Sequence, residues 1–292
     1  MKIAIASGKG GTGKTLVATN LFYTFQRMGL SVSLVDCDVE GPNALNFFQL
    51  HKVKVISVKE YCPKFDLQQC IYCGRCADYC DYNAIFIIPN QSQLHLLSHL
   101  CHGCGACAVA CNNGAIEDSE IEVGIVSLFS TTMEREKAFL VEGRINEGEH
   151  SATPVIKAAI NQGDSLNTDF LILDSPPGVS CPFIQTVAKT DYVVLVTEPT
   201  PFGLSDLRQA VETLKHLHKP FGVIINRVGL GNHDVYDYLE KEHIALLAEI
   251  PFDKKVAHLY SEGNLLVTSQ PIMSKYFESI SKKIIKNGNS SC

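Results

Sequence analysis

The stretch Ser7-Gly8-Lys9-Gly10-Gly11-Thr12-Gly13-Lys14-Thr15 constrains this chain more than any other. Read from Gly8, it fits G-x-x-x-x-G-K-[ST]. The apolar run Met1–Ala6 before it reads as a strand, and Leu16–Phe22 after it as a helix. In that setting, glycines let successive backbone N–H groups face one anion, and the helix N-terminus adds partial positive charge. Gly8, Gly10, Gly11, Thr12 and Gly13 would form the cradle. Lys14 should reach the β- and γ-phosphates of a nucleotide, and the Thr15 hydroxyl should bind Mg²⁺.

A second strand, Ser31–Val35, runs into Asp36-Cys37-Asp38 and then the loop Val39–Asn43. Acids at the carboxyl end of a strand, beside a phosphate loop, are placed to handle Mg²⁺ and an attacking water. Asp169–Asp174 is another buried strand ending in an acid, and Asp174 should meet Mg²⁺ through water. The turn Ser175-Pro176-Pro177-Gly178 follows. Further strands are expected at Ile121–Phe129, Lys137–Val141, Asp191–Thr197, Phe221–Asn226 and Ala245–Ile250, and a polar loop at Gly143–Glu149. Helices are expected at Pro154–Asn161, Leu204–Leu217 and Pro271–Lys286. The last has Phe277, Ile280 and Ile284 on one side and lysines on the other, so it should pack on the sheet. Strands alternating with helices predict a parallel sheet with ligands at the strands' carboxyl ends.

Composition changes between Val58 and Asp118. Of the twelve cysteines, nine lie here: Cys62, Cys70, Cys73, Cys76, Cys80, Cys101, Cys104, Cys107 and Cys111. All but Cys62 form two C-x2-C-x2-C-x3-C runs, an internal repeat in which each run is followed by Ala-Ile, at Ala84-Ile85 and Ala115-Ile116. A secreted disulfide framework does not suit a nucleotide-binding chain. Metal ligation remains, since thiolates are soft ligands that bind iron well. Zinc is the competing reading, although four-cysteine zinc sites usually pair two well-separated C-x2-C knuckles. Cys62 has no partner at motif spacing and reads as a buried or surface thiol.

The 292 residues carry 46% hydrophobic and 19% charged side chains, which suits a folded, soluble chain of one or two domains. A net charge of −6 argues against broad nucleic-acid binding. No apolar run approaches the ~20 residues of a membrane-spanning helix. The N-terminal strand feeds the phosphate loop, so no signal peptide is expected, and the cytoplasm is the expected compartment.

The loop K-G-G-T-G-K-T resembles the deviant P-loop of the MinD/ParA superfamily of ATPases, which also holds the nitrogenase iron protein and the arsenite-pump ATPase. The cysteine runs resemble the bacterial two-cluster ferredoxin. Together the resemblances imply an α/β fold: a mostly parallel P-loop sheet flanked by helices, with an inserted α+β two-cluster ferredoxin-like domain. The ATPase would occupy residues 1–58 plus 119–292, and the insert 59–118. The family pattern implies that Lys9 reaches across an ATP-closed homodimer to the partner's nucleotide. By the same resemblance Asp36 lies near the Mg²⁺ shell, Asp38 positions or activates water, and the Gly178 N–H senses the γ-phosphate. Asn226 would read the adenine edge, with the Pro251 backbone flanking the base.

The ferredoxin pattern implies one [4Fe–4S] cluster on Cys70, Cys73, Cys76 and Cys111, and another on Cys101, Cys104, Cys107 and Cys80. The proline that usually follows the fourth cysteine is replaced by Asp81 and Asn112. Cys181 lies seven residues beyond Asp174, the offset of a cluster ligand in the nitrogenase iron protein. It is either a ligand to a third cluster bridging a dimer or a packing thiol. The implied function is an ATP-hydrolysing dimeric switch that couples nucleotide state to electron transfer toward a redox partner. The alternatives are a cluster or metal carrier serving a metalloprotein client, and a MinD/ParA-type positioning ATPase with redox-sensing clusters. Neither nucleic acid nor membrane is an expected partner.

Overall fold

Near-continuous apolar runs such as Phe170–Leu173 and Tyr192–Val196 suit strands covered on both faces, as parallel sheets require. The computed structural model describes residues 1–130, 138–149 and 151–289. In chain order the elements begin β1 (Lys2–Ala6), α1 (Lys14–Arg27), β2 (Val32–Asp36) and β3 (His51–Tyr61). Next come β4 (Lys64–Phe65), α2 (Arg75–Asp78), β5 (Ile85–Ile88), β6 (Gln93–Leu96), α3 (Ala106–Ala110) and β7 (Ile116–Glu117). Then follow β8 (Glu120–Ser130), β9 (Ala138–Ile145), α4 (Thr153–Asp164), β10 (Phe170–Asp174), α5 (Cys181–Val187) and β11 (Tyr192–Thr197). The chain closes with α6 (Pro201–His216), β12 (Phe221–Val228), α7 (Asp234–Lys241), β13 (Leu246–Pro251), α8 (Lys254–Ser261), α9 (Leu266–Ser269) and α10 (Pro271–Asn289).

The chain forms two units. One comprises Met1–Ile56, Val126–Arg144 and the chain from Ile156 on; the other comprises Ser57–Ile125 and Ile145–Val155. In the first unit, strands run in the order β13-β12-β11-β1-β10-β2-β9, every adjacent pair parallel. β8 and β3 continue that order beyond β9, and each carries the chain across the boundary between the units. The register sets Ile5 beside Asp174 and Asp174 beside Asp36, so the phosphate loop and two acids emerge at one level. On one face α1 and α10 bury Leu21, Phe25, Phe277 and Ile284 against Ile3, Ile5, Leu34 and Ile172. On the other, α4 approaches so closely at Gly163 that a Cβ there would press on Val35 and Leu171.

The second unit has little regular structure. β4 pairs with β7 and β5 with β6, both antiparallel. The repeat seen in the sequence recurs as geometry: α2 and α3 each follow a left-handed glycine, Gly74 at φ +85° and Gly105 at φ +72°. One expectation is corrected. Gly143–Ile145 belong to β9 and not to a loop. The glycine and arginine there suggest a turn, but the Asn146 N–H still finds the Val123 carbonyl at 3.0 Å, so the ladder continues past them. Lys137 lies outside the described residues.

Candidate functional site

The phosphate loop is held from beneath by β12. The Asn226 side-chain amide donates to the Thr12 carbonyl at 2.8 Å, and its Oδ1 accepts from the Arg227 N–H at 2.9 Å. A Cβ at Gly13 would collide with that Asn226 amide, and one at Gly8 with the Asp206 backbone. Gly11 and Gly13 also sit at positive φ, +76° and +101°, where side chains are strained. Asn226 therefore clamps the loop through its amide, its Oδ1 meets the backbone of its own strand, and the residue also lines the cavity described below. The Arg227 guanidinium donates to the Gly11 carbonyl at 3.1 Å and pairs with Glu198 at 2.5 Å. Glu198 also meets Lys9 at 3.5 Å, so within one chain Lys9 is parked on this carboxylate.

The acids divide the work. Asp36 accepts backbone N–H bonds from Asp38 at 3.1 Å and from Asn43 and Ala44 at 2.9 Å, which makes it the organiser of the loop after β2. Its burial outweighs those three bonds and raises its pKa to about 6. Asp38 is half-buried; burial raises its pKa, and Lys14 opposes the rise. Lys14 is itself buried. Burial lowers its pKa, while Asp174 and then Asp38 push it back up. Asp174 is 1% exposed, and neither carboxylate oxygen has a hydrogen-bond partner among the described residues. Its pKa lies well above the usual range, first through burial and then through Asp36. The Thr15 hydroxyl eases that charge but lies outside hydrogen-bond geometry. A buried, orphaned carboxylate beside a lysine and a threonine hydroxyl fits a hydrated divalent cation.

A cavity of about 350 Å³ opens on this apparatus, lined by Gly10, Gly11, Gly13, Lys14, Thr15, Asp38, Asn226 and Pro251. Phe252, Val256 and Tyr260 form an apolar wall suited to a base. Gly178 is at φ +89°, and its N–H donates to the Ser7 carbonyl at 3.2 Å. That amide would have to break away from Ser7 to meet a phosphate. Tyr260 and Glu198 were not expected at the site. Neither lies in a motif, and α8 reaches the cavity through tertiary packing alone.

The two cysteine runs interleave. Cys70, Cys73, Cys76 and Cys111 line one cavity of about 240 Å³; Cys80, Cys101, Cys104 and Cys107 line another of about 20 Å³. The Tyr72 N–H points at Cys70 Sγ and the Ala84 N–H at Cys80 Sγ, each at 3.4 Å. Burial pushes the Cys76 thiol up to about 11 and raises that of Cys107, while backbone N–H donors oppose both shifts. Zinc draws its ligands to one point about 2.3 Å from each sulfur. No three His, Cys, Asp or Glu side chains among the described residues converge in that way. The cavity of about 240 Å³ beside Cys70, Cys73, Cys76 and Cys111 has room for a group larger than a single ion, whereas the one of about 20 Å³ beside Cys80, Cys101, Cys104 and Cys107 has room for about one water.

Cys37 is fully buried beside Asp36, whereas Cys181 is exposed at the start of α5. Cys62 is buried, and burial first, then Cys101, push its thiol up to about 11. No helix among the described residues is long and apolar enough to cross a membrane.

A glycine loop between β1 and α1, a lysine beneath it and acids on the neighbouring strands define a P-loop nucleotide-binding protein of the MinD/ParA type. Residues 3–267 match the CobQ/CobB/MinD/ParA nucleotide binding domain, and the chain belongs to that family. An uncharacterized protein of Methanocaldococcus jannaschii is 32% identical over 286 residues, 97% of this chain and 96% of its own. An iron-sulfur cluster carrier protein of Pyrococcus horikoshii is 24% identical across 97% of this chain and 85% of its own. Among solved structures, the septum site-determining protein MinD of P. horikoshii, complexed with Mg-ADP, superposes with a TM-score of 0.60 at 21% identity. It covers 100% of this chain and 98% of that one.

Proposed function

We propose that this protein is an ATP-hydrolysing dimeric switch that holds two [4Fe–4S] clusters and couples its nucleotide state to electron delivery toward a partner protein. The observation that carries the reading is the interleaving of the cysteines. Each cavity takes three thiols from one run and the fourth from the other. A group held in this way cannot leave one cavity without opening the run that also closes the other. That suits resident redox centres better than cargo. Bound clusters would supply one-electron chemistry. The chain supplies the eight thiols and the amide donors at Cys70 and Cys80.

At the nucleotide, catalysis is positioning and charge neutralisation. Lys14 and the loop amides take the β- and γ-phosphates. Thr15 and Asp174 would hold a hydrated Mg²⁺, which would neutralise phosphate charge, and Asp38 orients the attacking water. The Gly178 amide exchanges Ser7 for the γ-phosphate, and Lys9 leaves Glu198 for the partner's nucleotide as ATP closes the dimer. The chain enters the cysteine unit along β3, soon after the loop that Asp36 organises. Nucleotide state at that loop therefore has a short covalent route to the cysteine unit.

The second reading is a cluster carrier for a metalloprotein client. It is favoured by the names of several relatives, such as the iron-sulfur cluster carrier proteins of P. horikoshii and Aquifex aeolicus. One experiment separates the two. Anaerobically purified protein is incubated with ATP and an apo-enzyme that accepts [4Fe–4S] clusters. Retention of iron and sulfide by this chain supports electron delivery. ATP-dependent transfer of both to the acceptor overturns it in favour of the carrier.

A further inference from the structure

We infer that the two cysteine sets fill in order: the stacked rings of Tyr82 and His102 close the second set, Cys80, Cys101, Cys104 and Cys107, while the first, Cys70, Cys73, Cys76 and Cys111, stands open. The inference rests on the cluster reading above and assigns a role to two residues outside the metal-binding pattern.

The internal repeat supplies the comparison. His102 directly follows Cys101, and Tyr82 stands two residues after Cys80. Their rings stack with centroids 4.0 Å apart and planes 19° apart, and both residues line the second cavity. The pair thus ties the end of one run to the first loop of the other. The matching positions of the first set are Ile71, directly after Cys70, and Asn113, two residues after Cys111. Both line the first cavity, and an aliphatic chain and an amide stand where the second set has rings.

A second difference lies inside the loops themselves. The left-handed position between the first two cysteines is Tyr72 at φ +54° in one run and Gly103 at φ +64° in the other. A Cβ at Gly103 would stand 2.9 Å from Glu60 Cγ and 3.1 Å from the Tyr61 carbonyl. Glu60 and Tyr61 therefore lie close against the Cys101–Cys104 loop, and Tyr61 also lines the second cavity. Two separate contacts hold that loop in. The volumes follow, about 240 Å³ in the first set and about 20 Å³ in the second. The smaller holds about one water, so the second set admits a larger group only once Tyr82 and His102 part. Tyr82 is 43% exposed, so its ring can swing away without opening the core.

The test is the time course of anaerobic reconstitution of the full chain with iron salts and sulfide. Cys70→Ser with Cys73→Ser leaves the second set's thiols intact, and Cys101→Ser with Cys104→Ser leaves the first set's. The chain with only the first set should load faster. Tyr82→Ala and His102→Ala should each speed loading of the second set by about 2- to 10-fold, the range an aromatic pair contributes, without changing the first. Tyr82→Phe, which keeps the ring, should load as slowly as its parent. Independently, wild type given half the iron and sulfide that two clusters take should show the EPR signal of the first set alone. Equal loading of the two sets, a second set that neither ring removal speeds, or both sets sped alike overturns this inference and leaves the cluster reading standing. Wild-type chain that takes up no iron and sulfide overturns both.

Discussion

In the nucleotide unit Ile3, Ile5, Leu21, Phe25, Leu34 and Phe277 have no exposed surface, and each contributes roughly 1.5–3 kcal/mol by its burial. In the cysteine unit the buried cluster is Cys76, Ile85 and Cys107, fringed by partly buried Phe65, Ile87, Leu94 and Ile116. The first unit is shaped by an apolar core that exists whether or not anything is bound. The second has Cys76 and Cys107 of the two cysteine runs at its centre, so on the proposed reading its shape and its bound groups are one problem. The same chain thus contains a scaffold that waits for its ligand and another that its ligand completes.

The comparison breaks most visibly if iron is removed. Anaerobic chelation should strip hydrogen-exchange protection from residues 57–125 while the strands β1, β10 and β11 keep theirs. Equal loss in both units would show that they share one source of stability. The next largest effect concerns the nucleotide unit alone. Lys14→Ala removes the one buried lysine or arginine among the described residues and should lower ATP turnover by about 100-fold or more, with iron content unchanged.

Acidity sharpens the contrast further. The pKa of Asp36 in the folded protein is raised to about 6, above the unfolded value of about 3.9. The native state therefore binds this proton more tightly, and nucleotide-free protein should lose stability as pH rises from about 4 through about 6. The loss is of order 2–3 kcal/mol, read as the difference between wild type and Asp36→Asn in denaturant melts. Smaller again is the effect of neutralising the orphaned acid. Asp174→Asn should stabilise the nucleotide-free protein by about 1–3 kcal/mol while weakening Mg-dependent nucleotide binding, measured by calorimetry with and without Mg²⁺. A destabilised Asp174→Asn protein would mean that the carboxylate is satisfied by the fold itself.

The parts of the molecule that sequence reveals are those with strong local grammar. The glycine loop carries its own turn chemistry, and Asp36 and Asp174 each end an apolar run, so their convergence follows from parallel-sheet topology. The repeat of the two cysteine runs was legible from their spacing, whereas the set each cysteine joins came from the resemblance to the two-cluster ferredoxin. What was not legible depends on approach through space. Tyr260 reaches the cavity from α8, and Glu198 gathers Lys9 and Arg227 from two other segments. Glu60 and Tyr61 lie against the Cys101–Cys104 loop because Gly103 has no side chain. Residues His51–Tyr61 form a strand that was not expected, although its lysines and valines at 52–55 alternate with a period of two; Val53 and Val55 are exposed in the fold. Asn226 is a further lesson. An asparagine at a strand end reads as a base contact or as a clamp on a neighbouring loop, and here its amide holds the Thr12 carbonyl while the residue also lines the cavity.

The central claim is that nucleotide state is felt at the clusters. Its most direct test is the reduction potential of both clusters, measured by EPR on one anaerobic preparation without nucleotide, with Mg-ADP, and with a non-hydrolysable ATP analogue. The account predicts two clusters throughout and a potential for at least one of them that differs between the ADP and ATP-analogue states. Identical potentials in all three states, with both clusters present, would contradict it.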